Sequence, residues 1–471
     1  MQQFLKQALS PRYLGLAGLC ILAWIYMALF RYDNFGIEED AARALLLNWS
    51  IIHQIASPIA LYGAPDLRAI LFIILDLHWA GNLVAAKVFS MLTLFGTGLL
   101  LYRWSEKKFG DEAAMISTVL LLISPIALMQ ADAIGSGIYM LWGFVLVHLL
   151  AEAYRSSEST ISGWFFLLIL MTAFTVSMHP MGFAVPIVLA WLWRRELLSA
   201  GKGRNLLIGV ILATALMVML RWGWNGMEAA ASNPLALFEN VLLGPNLIHS
   251  AGHWGIGLIL ITLLAIVFAL QIWNKTADPM TLLLIVASVI GLLHADPTWA
   301  MIAYASLLYL GIPQLIRFNR RYGWQGMVGQ RGMVLIGVMV LATVSMTTLR
   351  DYRQVNIHQL KNDTDTVIAV LAQEAQDTKV PFIAASQWPA RTLLATRRDV
   401  LPLPPAAKDV ETFQKKIHGL THLAFDPQKP ELHELALNAA ALSHQLETIA
   451  LLPGGVVLKV RQPAAETSKQ H

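Results

Sequence analysis

Apolar runs long enough to cross a bilayer recur along this chain at roughly 14–30, 84–102, 113–129, 135–153, 162–177, 181–193, 206–220, 254–273, 280–293, 299–315 and 332–349. No other feature restricts its fold as much. Inside hydrocarbon every backbone N–H and C=O must find its partner within the segment, so these runs are expected to be helices. The expectation is an all-α polytopic membrane bundle of about 11 transmembrane helices over 1–349, with an outer loop at 31–83, followed by a C-terminal extracytoplasmic α/β domain over 350–471. Composition agrees, because 56% of residues are hydrophobic and only 14% charged, well outside the soluble globular range. The first run leads into acidic sequence and not into a small-residue cleavage site, so it is read as a retained span. Cys20 is the sole cysteine, which excludes an intrachain disulfide framework.

Charge gives the orientation. With the N-terminus in the cytoplasm, the inner segments 1–12, 103–111, 154–161, 194–205, 274–279 and 316–331 hold 15 Lys and Arg in 63 residues, and the outer segments hold 4 in 99. The positive-inside rule then puts the acidic stretch after the first span, and the C-terminal domain, outside the plasma or inner membrane. The basic balance is thus explained by topology, and nucleic-acid binding is not expected. DLRAILFIILDLHWAG at 66–81 is apolar for only about a dozen residues and carries Asp76 and His78, which suits an interfacial or re-entrant piece. Residues 38–60, with Glu38, Glu39, Arg43 and His53 among apolar neighbours, read as a helix lying on the surface.

Beyond Leu349 a helix-like run at 359–377 is followed by strand-like VPFIAAS (380–386) and THLAFD (421–426), helix-like 429–444 and strand-like GVVLKV (455–460). Alternation of this kind implies a small α/β layer structure. No glycine-rich phosphate loop and no internal repeat are present.

Chemistry is confined to few residues. Lys87 is the one Lys or Arg inside a predicted span, where a cation needs an anionic partner or a polar cavity. It is either a snorkelling side chain near the interface or a group that pairs with a lipid phosphate. Glu38, Glu39 and Asp40 either cap the following helix or supply a carboxylate that takes a proton from a hydroxyl. Asp132 and Ser136 occupy a short outer loop, and His179 stands beside Pro180 at another. His249, His253, His294 and Asp296 match no metal-ligand spacing, so neither a divalent metal nor another cofactor is expected.

The order of these features resembles the GT-C superfamily of integral-membrane glycosyltransferases, in particular the branch of protein O-mannosyltransferases and aminoarabinose transferases. IEEDAARAL places Glu39-Asp40 where that family has an outer acidic pair, although the order reads Glu-Asp. WAGNLVAAKVFSML is similar to the family's Gly-Asn/Ser-x-x-Ala-Ala-Arg opening of a span, with Lys87 in the Arg position. KKFGDEAAMISTVLLLISPIALMQAD resembles its basic-Phe-Gly turn and Ala-rich span ending in Ser-Pro, and SMHPMGF puts His179 where the family often has Lys or His. The acid usual in the second outer loop is missing, with Ser136 near its place and Asp132 upstream.

The resemblance implies that a polyprenyl-phosphate sugar is the donor, bound among membrane lipids, and that a glycan, lipid or protein is the acceptor. Glu39, Asp40 or Glu38 would act as base, while Lys87, Arg43, Asp132 and His179 would contact substrate or phosphate. The leaving phosphate is already a stable anion, so it needs positive charge and no general acid. A transporter or flippase of a polar or lipid-linked substrate, and a non-catalytic membrane scaffold, are the competing classes.

Overall fold

A computed structural model of the chain describes residues 18, 21, 36–53, 66–74, 83–194, 201–222, 255–273, 278–292, 297–322, 363–377, 381–407 and 409–461. Of the first apolar run only residues 18 and 21 are among these. Cys20, the run 332–349, Asp76, His78, His249, His253, His294 and Asp296 lie outside the described residues. The chain divides into two compact units. One contains the described residues 66–70 and 85–322, and the other contains 36–53, 71–74, 83–84 and 363–461.

The helical unit is built from the apolar runs. Its elements are α2 (Arg68–Ile74, shared with the other unit), α3 (Leu83–Phe109), α4 (Asp111–Leu122), α5 (Pro125–Asp132), α6 (Ser136–Ser156), α7 (Gly163–Met178), α8 (Ala184–Leu192), α9 (Lys202–Met217), α10 (Gly255–Trp273), α11 (Pro279–Gly291), α12 (Pro297–Ser306) and α13 (Ile312–Tyr322). Among the described residues, four stretches are long and apolar enough to cross a membrane: Ala85–Phe109, Ser136–Ser156, Lys202–Leu220 and Thr298–Arg317. Counting a bent pair as one span makes five. That pair occupies the run 113–129, which sequence treats as continuous. Pro125 lacks an N–H and crowds the preceding turn, so α4 stops at Leu122 and Ser124 caps α5 by accepting from Ala127 N at 3.3 Å. The two pieces meet at 51°. α2 has seven described residues, and 75–81, the rest of the stretch read as interfacial or re-entrant, lie outside the described residues.

Helix contacts follow membrane packing rules, with small residues where backbones approach. A Cβ on Gly143 of α6 would come within 2.5 Å of Thr175 Cγ2 on α7. Beside that contact Trp142 meets Phe174 edge-on at 5.8 Å. A π-helical turn at Leu307–Gly311 interrupts the ladder after α12. Ser117 Oγ donates to Leu308 O at 2.9 Å and Gln271 Nε2 to Leu310 O at 3.4 Å, so two of its carbonyls gain side-chain donors. Where α11 starts, Asp278 accepts from Thr281 N and Trp104 Nε1, both at 2.8 Å, and from Lys108 Nζ at 3.1 Å, tying α3 to α11.

The second unit contains α1 (Glu39–His53), α14 (Asp363–Glu374), β1 (Ile383–Ser386), α15 (Pro389–Thr396), β2 (Asp399–Pro402), α16 (Val410–Ile417), β3 (His422–Phe425), α17 (His433–Ala441), β4 (Leu446–Leu452) and β5 (Gly455–Val460). The strands form one sheet in the order β2-β1-β3-β5-β4. β1 runs parallel to both β2 and β3, and β5 is antiparallel to β3 and β4. Alternation along the strands buries both faces. Leu423, Phe425, Val456 and Leu458 pack with Phe413 and Leu435 from α16 and α17, while Ala424 and Val457 pack with Val367 and Leu371 from α14. The result is a three-layer α/β/α arrangement. α1 differs from a helix resting on a surface: Ala41, Ala42, Ala44, Leu45 and Leu46 are all buried, so it is a packed member of this unit.

Gly182, in the 3-10 turn Pro180–Phe183 between α7 and α8, lies where a Cβ would come within 2.2 Å of the Thr175 carbonyl oxygen, whereas nothing lies within 4 Å of a Cβ at Gly96 in α3. Gly182→Ala should therefore lower the melting temperature of the purified full-length protein. Gly96→Ala should be neutral or raise it slightly, by up to about 1 kcal/mol of helix propensity. Thermal unfolding in one detergent compares the two.

Candidate functional site

Two polar clusters carry the residues that sequence points to, one in each unit. In the helical unit, Lys87 lies in the second turn of α3 and Asp132 ends α5. Lys87 Nζ is 3.2 Å from Asp132 Oδ1, and their side chains are only 8% and 3% exposed. The lysine has the anionic partner that its depth demands.

The turn after Asp132 is fixed unusually. Ile134 has φ +54, a left-handed conformation that normally falls to glycine just past a helix end. Its carbonyl accepts from Arg68 Nη1 at 2.5 Å. Gln130 Oε1 accepts from Gly137 N at 3.0 Å, and Ser136 Oγ meets Thr298 Oγ1 at 2.6 Å. Arg68 is itself locked, since its Nε lies 3.0 and 2.9 Å from the two Asp66 oxygens and its Nη2 lies 2.6 Å from Oδ2. Both side chains are 0% exposed. The Arg68 guanidinium also sits 5.8 Å from the centroid of the Tyr139 ring, whose hydroxyl is 2.7 Å from Ser90 Oγ. Ser90 follows Lys87 by three residues and shares its helix face. Arg68, Ile134, Asp132, Lys87, Ser90 and Tyr139 therefore close a ring of contacts.

Sequence singles out Lys87 and Asp132 from this ring and passes over Asp66 and Arg68, because Arg68 counts there as one more loop cation. The available signal was Asp66 two residues before Arg68 at the edge of an apolar run. That spacing lets Asp66 Oδ1 also accept the Arg68 backbone N–H, at 2.9 Å, as Asx turns do. His179 is buried and accepts from Met181 N through Nδ1 at 3.2 Å, which places its proton on Nε2. It caps the turn that Pro180 begins, and next to it Ser177 Oγ accepts from Leu67 N at 3.1 Å.

In the sheet-bearing unit the acidic stretch begins α1. Glu39 and Asp40 occupy its first turn, where the helix dipole favours negative charge. Arg43, one turn on, lies 3.8 Å from Glu39 Oε1 and 3.4 Å from Asp40 Oδ1. Glu39 reaches further along the chain, since its two oxygens accept from the backbone N–H groups of Ala390 at 2.9 Å and Arg391 at 3.2 Å. These are early N–H groups of α15, so Glu39 caps a second helix. β1 lies between two parallel neighbours, with α15 leaving it for β2, which makes its carboxyl end a topological switch point. Open α/β sheets usually bind ligands there, and here the chain's own carboxylate fills the helix N-terminus. Asp365 of α14 completes the junction by accepting from Gly36 N at 3.2 Å and pairing with the Arg391 guanidinium. Of the acids, Asp40 is the more open, 36% exposed against 20% for Glu39. Burial pushes the Glu39 carboxyl above the usual carboxylate range, against the opposing pull of Arg43, the two N–H groups and Arg391.

The fold resembles those of two solved structures. In particular, the chain is similar to the structure of ArnT, an aminoarabinose transferase, from Cupriavidus metallidurans bound to undecaprenyl phosphate. The identity is 13% and the TM-score 0.55, over 94% of this chain and 97% of that one. It is also similar to the oligosaccharyltransferase AglB from Archaeoglobus fulgidus in complex with an inhibitory peptide and a dolichol-phosphate. There the identity is 10% and the TM-score 0.52, over 95% of this chain and 74% of that one. Neither a protein-family model nor a curated protein matches the sequence. The likeness is one of fold.

Two outcomes follow from these clusters. Arg68→Gln leaves the Asp66 carboxylate buried without its cation and should cost about 3–5 kcal/mol, while Asp66→Asn with Arg68→Gln should recover part of that. Thermal unfolding of the purified protein reads both. Because the Glu39 carboxyl titrates higher in the folded protein, its stabilising contribution is complete below the ordinary carboxylate range and fades as pH rises through the raised value. The melting advantage of the wild type over Glu39→Ala should therefore be larger at about pH 4 than at about pH 8.

Proposed function

We propose that the protein is a glycosyltransferase that moves a sugar from a polyprenyl-phosphate donor to an acceptor hydroxyl on the outer face of the plasma membrane, with inversion. The observation that carries this reading is Lys87, a buried ammonium near the start of a membrane-length helix, in a fold shared with an undecaprenyl-phosphate-bound transferase. The reading includes about eleven spans over 1–349, a cytoplasmic N-terminus and an extracytoplasmic domain over 350–471.

In this mechanism a carboxylate of the acidic stretch removes the proton from the acceptor hydroxyl. The oxygen attacks the anomeric carbon from the face opposite the phosphate, and the bond from that carbon to the phosphate oxygen breaks with its electron pair going to the phosphate. Lys87 supplies the positive charge that the departing phosphate needs. We assign the base to Asp40 ahead of Glu39, since both Glu39 oxygens already accept backbone N–H groups and Asp40 is the more exposed. Arg43 lies within 4 Å of both carboxylates and would help orient Asp40. In the helical unit, His179 is a further candidate for contact with substrate.

A strain lacking the protein, complemented at matched expression, tests this through mass spectrometry of its envelope glycolipids and glycoproteins. One sugar mass should vanish in the null strain and return with the wild type. Lys87→Gln should not restore it, and Asp40→Asn should reduce transfer by roughly 10²–10⁴-fold. Restoration by Asp40→Asn but not by Glu39→Gln would move the base to Glu39, and restoration by all three variants would leave the scaffold reading in its place.

A further inference from the structure

We propose that Asp132 is an internal competitor for the phosphate that Lys87 binds, so that it weakens the hold on the lipid phosphate and favours release of the product. The proposal rests on the reading of Lys87 given above and adds a direction to it. The Asp132 carboxylate lies 3.2 Å from the Lys87 ammonium, with both side chains almost completely withdrawn from water. A phosphate oxygen that reaches that ammonium comes close to the Asp132 carboxylate already beside it.

The backbone that carries this carboxylate is held in place. Asp132 ends α5, and the turn that follows is pinned by Arg68 on the Ile134 carbonyl and by Gln130 on the Gly137 N–H. The formal charges of Arg68, Lys87, Asp66 and Asp132 cancel, and Arg68 is committed to Asp66 on three hydrogen bonds from its side chain. An arriving phosphate therefore adds negative charge beside that carboxylate. The repulsion grows as the reaction proceeds. The donor is a phosphodiester with one negative charge, and the product is a phosphomonoester with about −1.5 to −2. Asp132 thus disfavours the product more than the donor, which suits a membrane enzyme that must give up a lipid carrier after each transfer.

The test is a titration of the full-length protein, in nanodiscs of zwitterionic phosphatidylcholine, with undecaprenyl phosphate. Undecaprenol serves as the phosphate-free control. Inorganic phosphate is titrated separately to tell whether the isoprenoid chain is required. Asp132→Asn should bind undecaprenyl phosphate more tightly than the wild type, by roughly tenfold, the effect of removing one like charge at close range. Asp132→Glu, which keeps the charge, should gain nothing, and Lys87→Gln should lose most of the binding. Asp132→Ser serves as a second neutral variant should the Asn variant fail to fold. If neutral variants bind equally or less tightly while Lys87→Gln loses binding, Asp132 supports Lys87 and does not compete; the competitor proposal then falls and the reading of Lys87 stands. If Lys87→Gln binds like the wild type, that reading fails and the proposal goes with it.

Discussion

A positive charge held out of water must have its negative partner beside it. That requirement organises the helical unit more than any apolar contact does. Separating a buried pair costs several kcal/mol, so the positions of Lys87 and Arg68 dictate where Asp132 and Asp66 must be. They also dictate how the backbone between them runs. Ile134 takes a backbone conformation that β-branched residues avoid, because its carbonyl is needed by Arg68 and its side chain is fully buried. The strained turn and the ion pairs are one construction: Arg68 holds the turn, and the turn carries Asp132 to Lys87.

The sheet-bearing unit solves a different problem with similar means. A doubly covered sheet with a switch point beside β1 has the architecture of a ligand-binding layer. Its helix N-terminus is closed by Glu39, a residue that precedes the sheet by more than three hundred positions. The position that receives an anion in other α/β proteins is here a joint. The two acids of the first turn of α1 thus divide into two roles, with Glu39 fastening α1 to α15 and Asp40, one residue on, left the more open.

Much of this was legible because hydrocarbon is an intolerant solvent. Runs such as 135–153 and 206–220 can only be helices, and α6 and α9 lie where they should. A lysine amid such a run is conspicuous, so Lys87 could be picked out without coordinates. Its partner could not, since Asp132 is 45 positions away and a contact at that range leaves no periodic trace. Local detail failed where a run conceals a break, as at Ser124-Pro125 within 113–129. It failed again where short elements lack a distinctive pattern: α15 and α16 have eight residues each, β2 has four with a proline at its end, and β4 begins two residues past the helix-like run 429–444. Sequence likewise took α1 for a surface helix, because an apolar helix that packs in a domain and one that rests on lipid have the same composition. Arg68 was hidden by its neighbourhood, since a loop cation and a buried clamp are spelled identically.

The joint between Glu39 and α15 also has a consequence in time. Its two sides are separated by 351 positions, and a chain is made at about 5–20 residues per second, so roughly 20–70 s pass between synthesis of α1 and synthesis of the helix it caps. Throughout that interval the acidic first turn of α1 is present without the N–H groups it will later serve. Within the sheet-bearing unit, α1 waits for a helix made 351 positions later, and the unit closes only after its strands have followed the helical unit. A molecule truncated late in synthesis would therefore expose its unmatched acids, a chemical mark by which incomplete chains differ from finished ones.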